Sequence, residues 1–449
     1  MPRVCYGLKR GAEPGNPMPL TPETQRPSSK TVFSNTVFVF LGEAGIAVTQ
    51  ALVAVSLLVL LSKREYGIFT AAIAWIDPFR AAAIFGLDSI GLRRAAAKPT
   101  DLMHVVGTLM TTRLITGSIA FAIAVGMAFT ARASSDSGSW IGAVAALAVL
   151  SSSMFYPVQV AYQARHLNKH IAWAPAVGGL LQLCVIGLLW FVGAPLIYFV
   201  GATAIADAIG AAIILGLLHR EVGYLPFAMD RKLATSLVRE AAPVGYMQFV
   251  VMLYKRFGYY FVEAYKGVAA VGGLGAATQI VSPVNAIASA LAISVNPYAA
   301  SLTARRQFDE LRTFFRTILR KALIVLIPIS TITALLADPV ARALNPEYLD
   351  AAAAYRWLTF AVIWMFVCQV STAVLIGMGY ARLMAIIVTV DLIAYTGLAY
   401  WLVPIYGPEG AAMATFFQEM LNAGMQVSCV LWVMPRSGGS VPHGSKGGG

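Results

Sequence analysis

Residues 66–83 read YGIFTAAIAWIDPFRAAA, and residues 271–288 read VGGLGAATQIVSPVNAIA. At a shift of 205, Gly67 falls on Gly272, Ala71 and Ala72 on Ala276 and Ala277, Pro78 on Pro283, and Ala81 and Ala83 on Ala286 and Ala288. Both stretches are too long and too uniformly apolar for barrel strands. In lipid only helices and closed barrels satisfy every backbone group, so both are read as membrane helices. A proline at matching depth bends the two alike, because each removes one amide from the ladder.

The whole chain extends that reading. Of 449 residues, 58% are hydrophobic and 12% charged, against about 45–50% and about 25% in soluble domains. Twelve apolar segments lie at about 35–60, 67–90, 105–130, 140–162, 171–193, 195–218, 241–264, 272–296, 317–337, 355–377, 383–404 and 408–433. Each is close to the ~20 residues that cross a bilayer core. The expected fold is all-α: a polytopic membrane protein of about twelve transmembrane helices. The shift of 205 pairs helix one with seven and two with eight, giving six-helix bundles at 31–219 and 241–434 joined by a cytoplasmic linker, 220–240. Repeats with an even helix count run parallel about a pseudo-two-fold axis along the membrane normal, and many transporters hold their site between such halves. Residues 1–30 are polar and Pro-rich, with no cleavage-like site after a short apolar core, and read as a disordered cytoplasmic tail; 435–449 read as a flexible tail.

Charge orients the bundle. With the N-terminus inside, the tails and inner loops carry 23 Lys/Arg and the outer loops six, which predicts both termini in the cytoplasm. The net charge of +12 therefore follows the membrane sides and gives no reason to invoke nucleic acid. Cys184, Cys368 and Cys429 sit in apolar runs, and the four cysteines and five histidines show no ligand spacing. No metal or cofactor is expected. The segment TARRQFDELRTFFRTILRK, residues 303–321, interleaves cations with Phe308, Phe314 and Phe315 and reads as an amphipathic stretch on the anionic inner leaflet.

Three stretches carry a resemblance: VLLSKREYGIFTAAIAWIDPFRAAAIFGLDSIGLRRAAA from Val59, REAAPVGYMQFVVMLYKRFGYYFVEAYKGVAAVGGLGAATQIVSPVNAIASALAISVNPYAASL from Arg239, and IYGPEGAAMATFFQEML from Ile405. The chain resembles, over residues 31–434, the polysaccharide exporter and flippase families of the multidrug/oligosaccharidyl-lipid/polysaccharide exporter superfamily. The resemblance implies a V-shaped pair of bundles around a cavity that opens to alternate sides, without covalent chemistry. In flippase members the cargo is a lipid-linked sugar, usually on undecaprenyl diphosphate, turned from the cytoplasmic to the periplasmic leaflet of the bacterial inner membrane. Partners would then include membrane lipids and the polymerase and glycosyltransferases of the same pathway.

Four basic residues remain inside the spans: Arg80, Arg113, Lys255 and Arg256. A charge at mid-bilayer costs about 2.5–3.5 kcal/mol on insertion scales, so each should face protein or water. Arg256, Tyr260 and Glu263 share a face of helix seven, flanked by Lys255 and Tyr259. A guanidinium fork, an ammonium and tyrosine faces suit a diphosphate and its sugars. Arg256 paired with an acidic neighbour is the plainer alternative. Arg113 is a candidate first phosphate contact or an interface anchor, and Arg80 forms either a cavity contact or an ion pair with Asp77, three residues before it. Glu43, Asp77, Asp391 and Glu419 are candidate sites for a coupling H⁺ or Na⁺, with Asp207 a further lone acid. Thr415, Glu419, Asn422 and Gln426 form a polar stripe that either lines a cavity or bonds helix to helix. Two rival functions remain open: a cation-coupled multidrug antiporter of the same fold, and a membrane scaffold that docks a polymerase.

Overall fold

The computed structural model describes residue 45 and residues 48–97, 99–131, 138–165 and 173–434. Glu43 and both tails lie outside the described residues. Within them every regular element is helical. In chain order these are α1 (Val48–Leu60), α2 (Lys63–Ile84), α3 (Leu87–Ala97), α4 (Leu102–Ala131), α5 (Ser139–Ala164), α6 (Ala174–Val192) and α7 (Leu196–Val222). The second half holds α8 (Arg231–Lys266), α9 (Val268–Ala304), α10 (Phe308–Leu335), the short α11 (Ala337–Leu344), α12 (Ala351–Gly377), α13 (Ala381–Tyr406) and α14 (Pro408–Val433). With α2 and α3 taken as one crossing and α11 set aside, these match the twelve apolar segments one for one.

Local chemistry sets the helix ends. Ser62 and Glu65 form a capping box: the Ser62 hydroxyl accepts from the Glu65 amide while the Glu65 carboxylate accepts from the Ser62 amide. Asp230 caps α8 by accepting from the amides of Lys232 and Leu233. The second apolar segment, expected unbroken, is interrupted where Phe85 and Gly86 take φ of 43° and 68°. The break is tight as well as left-handed, because Gly86 lies against the backbone of Gly245. A second difference concerns the linker: α8 begins at Arg231, so only residues 223–230 of the expected 220–240 are non-helical. Asp230 supplies the cap that lets the helix start ten residues before its apolar part.

Each half packs mainly within itself: α4 on α5 and α5 on α7 in the first, α12 on α9 and α14 and α13 on α8 in the second. The first half brings small side chains together, with Ala72, Ala83, Ala124, Ala145, Ala146 and Ala148 all buried. In lipid, where burial of apolar surface drives little association, such close approach supplies dispersion contact.

The halves meet where α2 crosses α9. A methyl group on Gly67 would run into the Val268 carbonyl, and one on Gly272 into the Lys63 carbonyl. Lys63 and Val268 are themselves 205 apart, as are Gly67 and Gly272. The contact is therefore reciprocal, and the pseudo-two-fold axis passes between the two glycines. Lys63 adds a tie at this end, donating through its amide to Glu347 at 3.0 Å and through Nζ to Asp350 at 2.6 Å. At the opposite, cation-rich end, Arg94 donates to Ser236 at 2.9 Å and, together with Arg93, to Glu240. The Arg94 guanidinium is the main cause holding the Glu240 carboxyl below its usual range.

Candidate functional site

Helix α8 carries the expected cationic pair to the boundary between the halves. Arg256 reaches across to Asp77 of α2 at 2.5 Å, with its guanidinium 5.6 Å from the centre of the Tyr259 ring. Tyr259 is buried and donates to Thr278 of α9 at 3.0 Å. Tyr260 donates to the Ala74 carbonyl at 2.8 Å. That acceptor has a sequence cause: Pro78 has no amide, so the Ala74 carbonyl lacks its partner four residues on. Tyr260 supplies the missing donor from the other half.

Asp77 also lies 3.9 Å from Arg80, which pairs more closely with Asp207 of α7 at 3.2 Å. The result is a chain of alternating charge, Arg256, Asp77, Arg80 and Asp207, running from the second half into the first. Local spacing predicts the Asp77–Arg80 contact; the contacts to Arg256 and Asp207 are tertiary. In this structure Arg80 and Arg256 take the ion-paired alternative. Arg80 and Arg256 are opposed by carboxylates, so the wall they form is charge-balanced instead of purely basic. Asp77 is engaged by two guanidinium groups and is not an open acceptor for a coupling ion in this conformation.

Arg113 lies deeper than either of its expected roles suggests. It is fully buried, 3.5 Å from Asp88 and 5.5 Å from the centre of the Tyr156 ring. Beside it the Thr116 hydroxyl donates to the Ala83 carbonyl, so α4 braces the α2–α3 break at two points.

Lys255, next to Arg256, is exposed. Its positive charge acts on Glu419 of α14, which is buried. Asp391 of α13 is fully buried beside Gln418, with neither carboxylate oxygen in hydrogen-bond geometry. Along the polar stripe of α14, Thr372 of α12 donates to Gln426, and Gln426 donates to Asn422 at 2.8 Å. Gln426 thus joins α14 to α12, while its bond to Asn422 lies within α14. The sequence alone did not reveal Lys63 with Asp350 and Glu347 as a tie between halves. Its only signal was the start of α2 as a capped, charged turn.

Two six-helix halves meeting at a glycine-lined axis, with ion pairs across the seam, define a fold of membrane transporters. Among solved structures, a point mutant of the Vibrio cholerae MATE transporter VcmN aligns with a TM-score of 0.63 at 14% identity, covering 90% of this chain and 96% of that one. An outward-facing multidrug resistance MATE family transporter of the MOP superfamily aligns at 0.64 and 14%, covering 90% and 95%. An inward-facing one aligns at 0.60 and 16%, covering 89% and 96%. The model of the polysaccharide biosynthesis protein family matches residues 32–303, and that of the MatE family residues 243–401. The first match spans more than half the chain, and the protein belongs to the polysaccharide biosynthesis protein family. No protein of curated function matches the sequence.

Proposed function

We propose that this protein turns a lipid-diphosphate-linked oligosaccharide from the cytoplasmic to the periplasmic leaflet of the bacterial inner membrane, for synthesis of an exopolysaccharide, O-antigen or capsule. The observation that carries this reading is the placement of exposed Lys255 beside Arg256, whose guanidinium crosses the seam between the halves. A diphosphate offers Arg256 the oxygens that Asp77 now supplies, with Lys255 adding a mobile second cation. Exchange of Asp77 for the headgroup would neutralise the cargo and release the tie between α2 and α8 in one event. The lipid tail stays in the bilayer while the halves rock about the seam. No bond is made or broken. The partners of this reading are the undecaprenyl-diphosphate-type carrier, membrane lipids, and the polymerase and glycosyltransferases that follow.

The test is the double variant Lys255→Ala with Arg256→Ala, expressed in a strain that depends on this protein for its polymer. Polymer export should stop while the protein remains in the membrane at normal amount; undiminished export would remove the reading. A second reading, a cation-coupled multidrug antiporter, is favoured by Asp391 and Glu419, two acids buried in the second half. It predicts broad drug resistance on expression, lost in Asp391→Asn, with surface glycans unchanged. Under the flippase reading the same two acids remain candidates for ion coupling.

A further inference from the structure

On its outer wall the second half carries a groove of about 660 Å³ between α13 and α14, lined by Ile386, Val390, Met420, Leu421, Gly424 and Met425 among others. It is separate from the seam between the halves and does not depend on the proposed cargo. Its depth is specific. On α13 the groove starts at Ile386, four residues from Arg382, or roughly 6 Å below it at the helical rise. On α14 it spans Met420 to Cys429, ending roughly 6 Å before the last helical residue, Val433. The groove thus lies toward the cation-rich end of both helices and is lined almost entirely by apolar side chains.

What stands at its mouth identifies the occupant. Arg382, Ile386 and Val390 follow one another at i, i+4 and i+8, so an exposed guanidinium crowns the α13 wall. Leu421, Met425, Ser428 and Trp432 follow at i, i+4, i+7 and i+11 on α14, and Trp432 is 82% exposed. Side chains on a helix lean toward its N-terminus, which for α13 is the cation-rich end, so Arg382 is directed at headgroup level. A cation and an exposed tryptophan at the mouth of an apolar slot fit a phosphate head and one of its chains. The floor is open as well, since a side chain on Gly424 would meet nothing within 4 Å.

We infer that the α13–α14 groove is a retention site for an anionic phospholipid of the leaflet at the cation-rich end, its tail between Ile386 and Gly424 and its phosphate on Arg382. The experiment uses the full chain, delipidated in detergent and titrated with phosphatidylglycerol or phosphatidylcholine, with bound lipid counted by native mass spectrometry. Wild type should retain phosphatidylglycerol in preference to phosphatidylcholine. Arg382→Gln should lower that preference by roughly fivefold, the loss expected for one cation near a lipid surface. Gly424→Leu should fill the floor and reduce retention of both lipids without lowering the unfolding temperature. Equal retention of the two lipids by wild type would overturn the proposal. So would both variants retaining phosphatidylglycerol as wild type does, or displacement of phosphatidylglycerol by a polyprenyl phosphate at equal concentration. Lys255→Ala with Arg256→Ala should leave this binding unchanged, so failure here and failure of the flippase reading are distinguishable.

Discussion

Removing the Asp77 carboxylate as Asp77→Asn breaks an ion pair that joins α2 to α8. At 2.5 Å and an effective dielectric of about 20, two unit charges attract by roughly 7 kcal/mol. Most of that is offset by taking the charges out of water. Asp77 is almost fully buried, and the Arg256 side chain keeps 28% exposure, so Arg256 regains some hydration once its partner is gone. Contacting charged residues typically leave a coupling of about 0.5–3 kcal/mol, and about 2 is expected here. The assay is a double-mutant cycle of Asp77→Asn, Arg256→Gln and the pair, read by reversible unfolding in mixed micelles. Each single change should destabilise, and the pair should cost about 2 kcal/mol less than their sum. A coupling smaller than about 0.5 kcal/mol would refute the claim that this contact holds the halves together.

Three further predictions concern other parts of the seam and its braces. Gly272→Leu should push α9 off the Lys63 carbonyl, lowering the disulfide yield between cysteines placed at Thr70 and Gly275 and stopping export; unchanged yield and export would contradict the close approach. Arg113→Met leaves the half-buried Asp88 without its cation and should cost about 1–3 kcal/mol, most of it recovered on adding Asp88→Met, as thermal unfolding in detergent would report. At the cation-rich end, the Leu233 amide, then His104 and the Lys232 amide, hold Asp230 below the usual carboxylate range. A depressed carboxyl contributes stability that is fully present above its unfolded value, about pH 4, and is lost as pH falls through the lower folded value. Protection of the amides at the start of α8, relative to their intrinsic exchange rates, should therefore fall below about pH 4, and Asp230→Ala should show the reduced protection already at neutral pH.

The crossings of this fold were legible because lipid demands an apolar run for each, and the pairing of halves was legible because Gly67 and Gly272 recur at one shift. The same glycines turn out to touch. The break at Phe85–Gly86 was hidden by an apolar pattern that continues across it, since hydropathy records burial and not φ. The charged site was half legible. Spacing along α2 gives Asp77 beside Arg80, but Arg256 reaches Asp77 and Asp207 reaches Arg80 from other helices, and no one-dimensional period encodes which helices become neighbours. Tyr260 is an instructive case: Pro78 announces an unserved carbonyl at Ala74, yet only the folded seam says who answers it.

The mutual fit of Gly67 and Gly272 carries a genetic corollary. Each glycine yields room to a carbonyl of the opposite repeat, so a bulkier residue at either place cannot be relieved by shrinking its twin, which is already as small as a residue can be. Second-site suppressors should instead map to the turns that bear those carbonyls, around Lys63 and Val268, and a change in one repeat should be answered in the other.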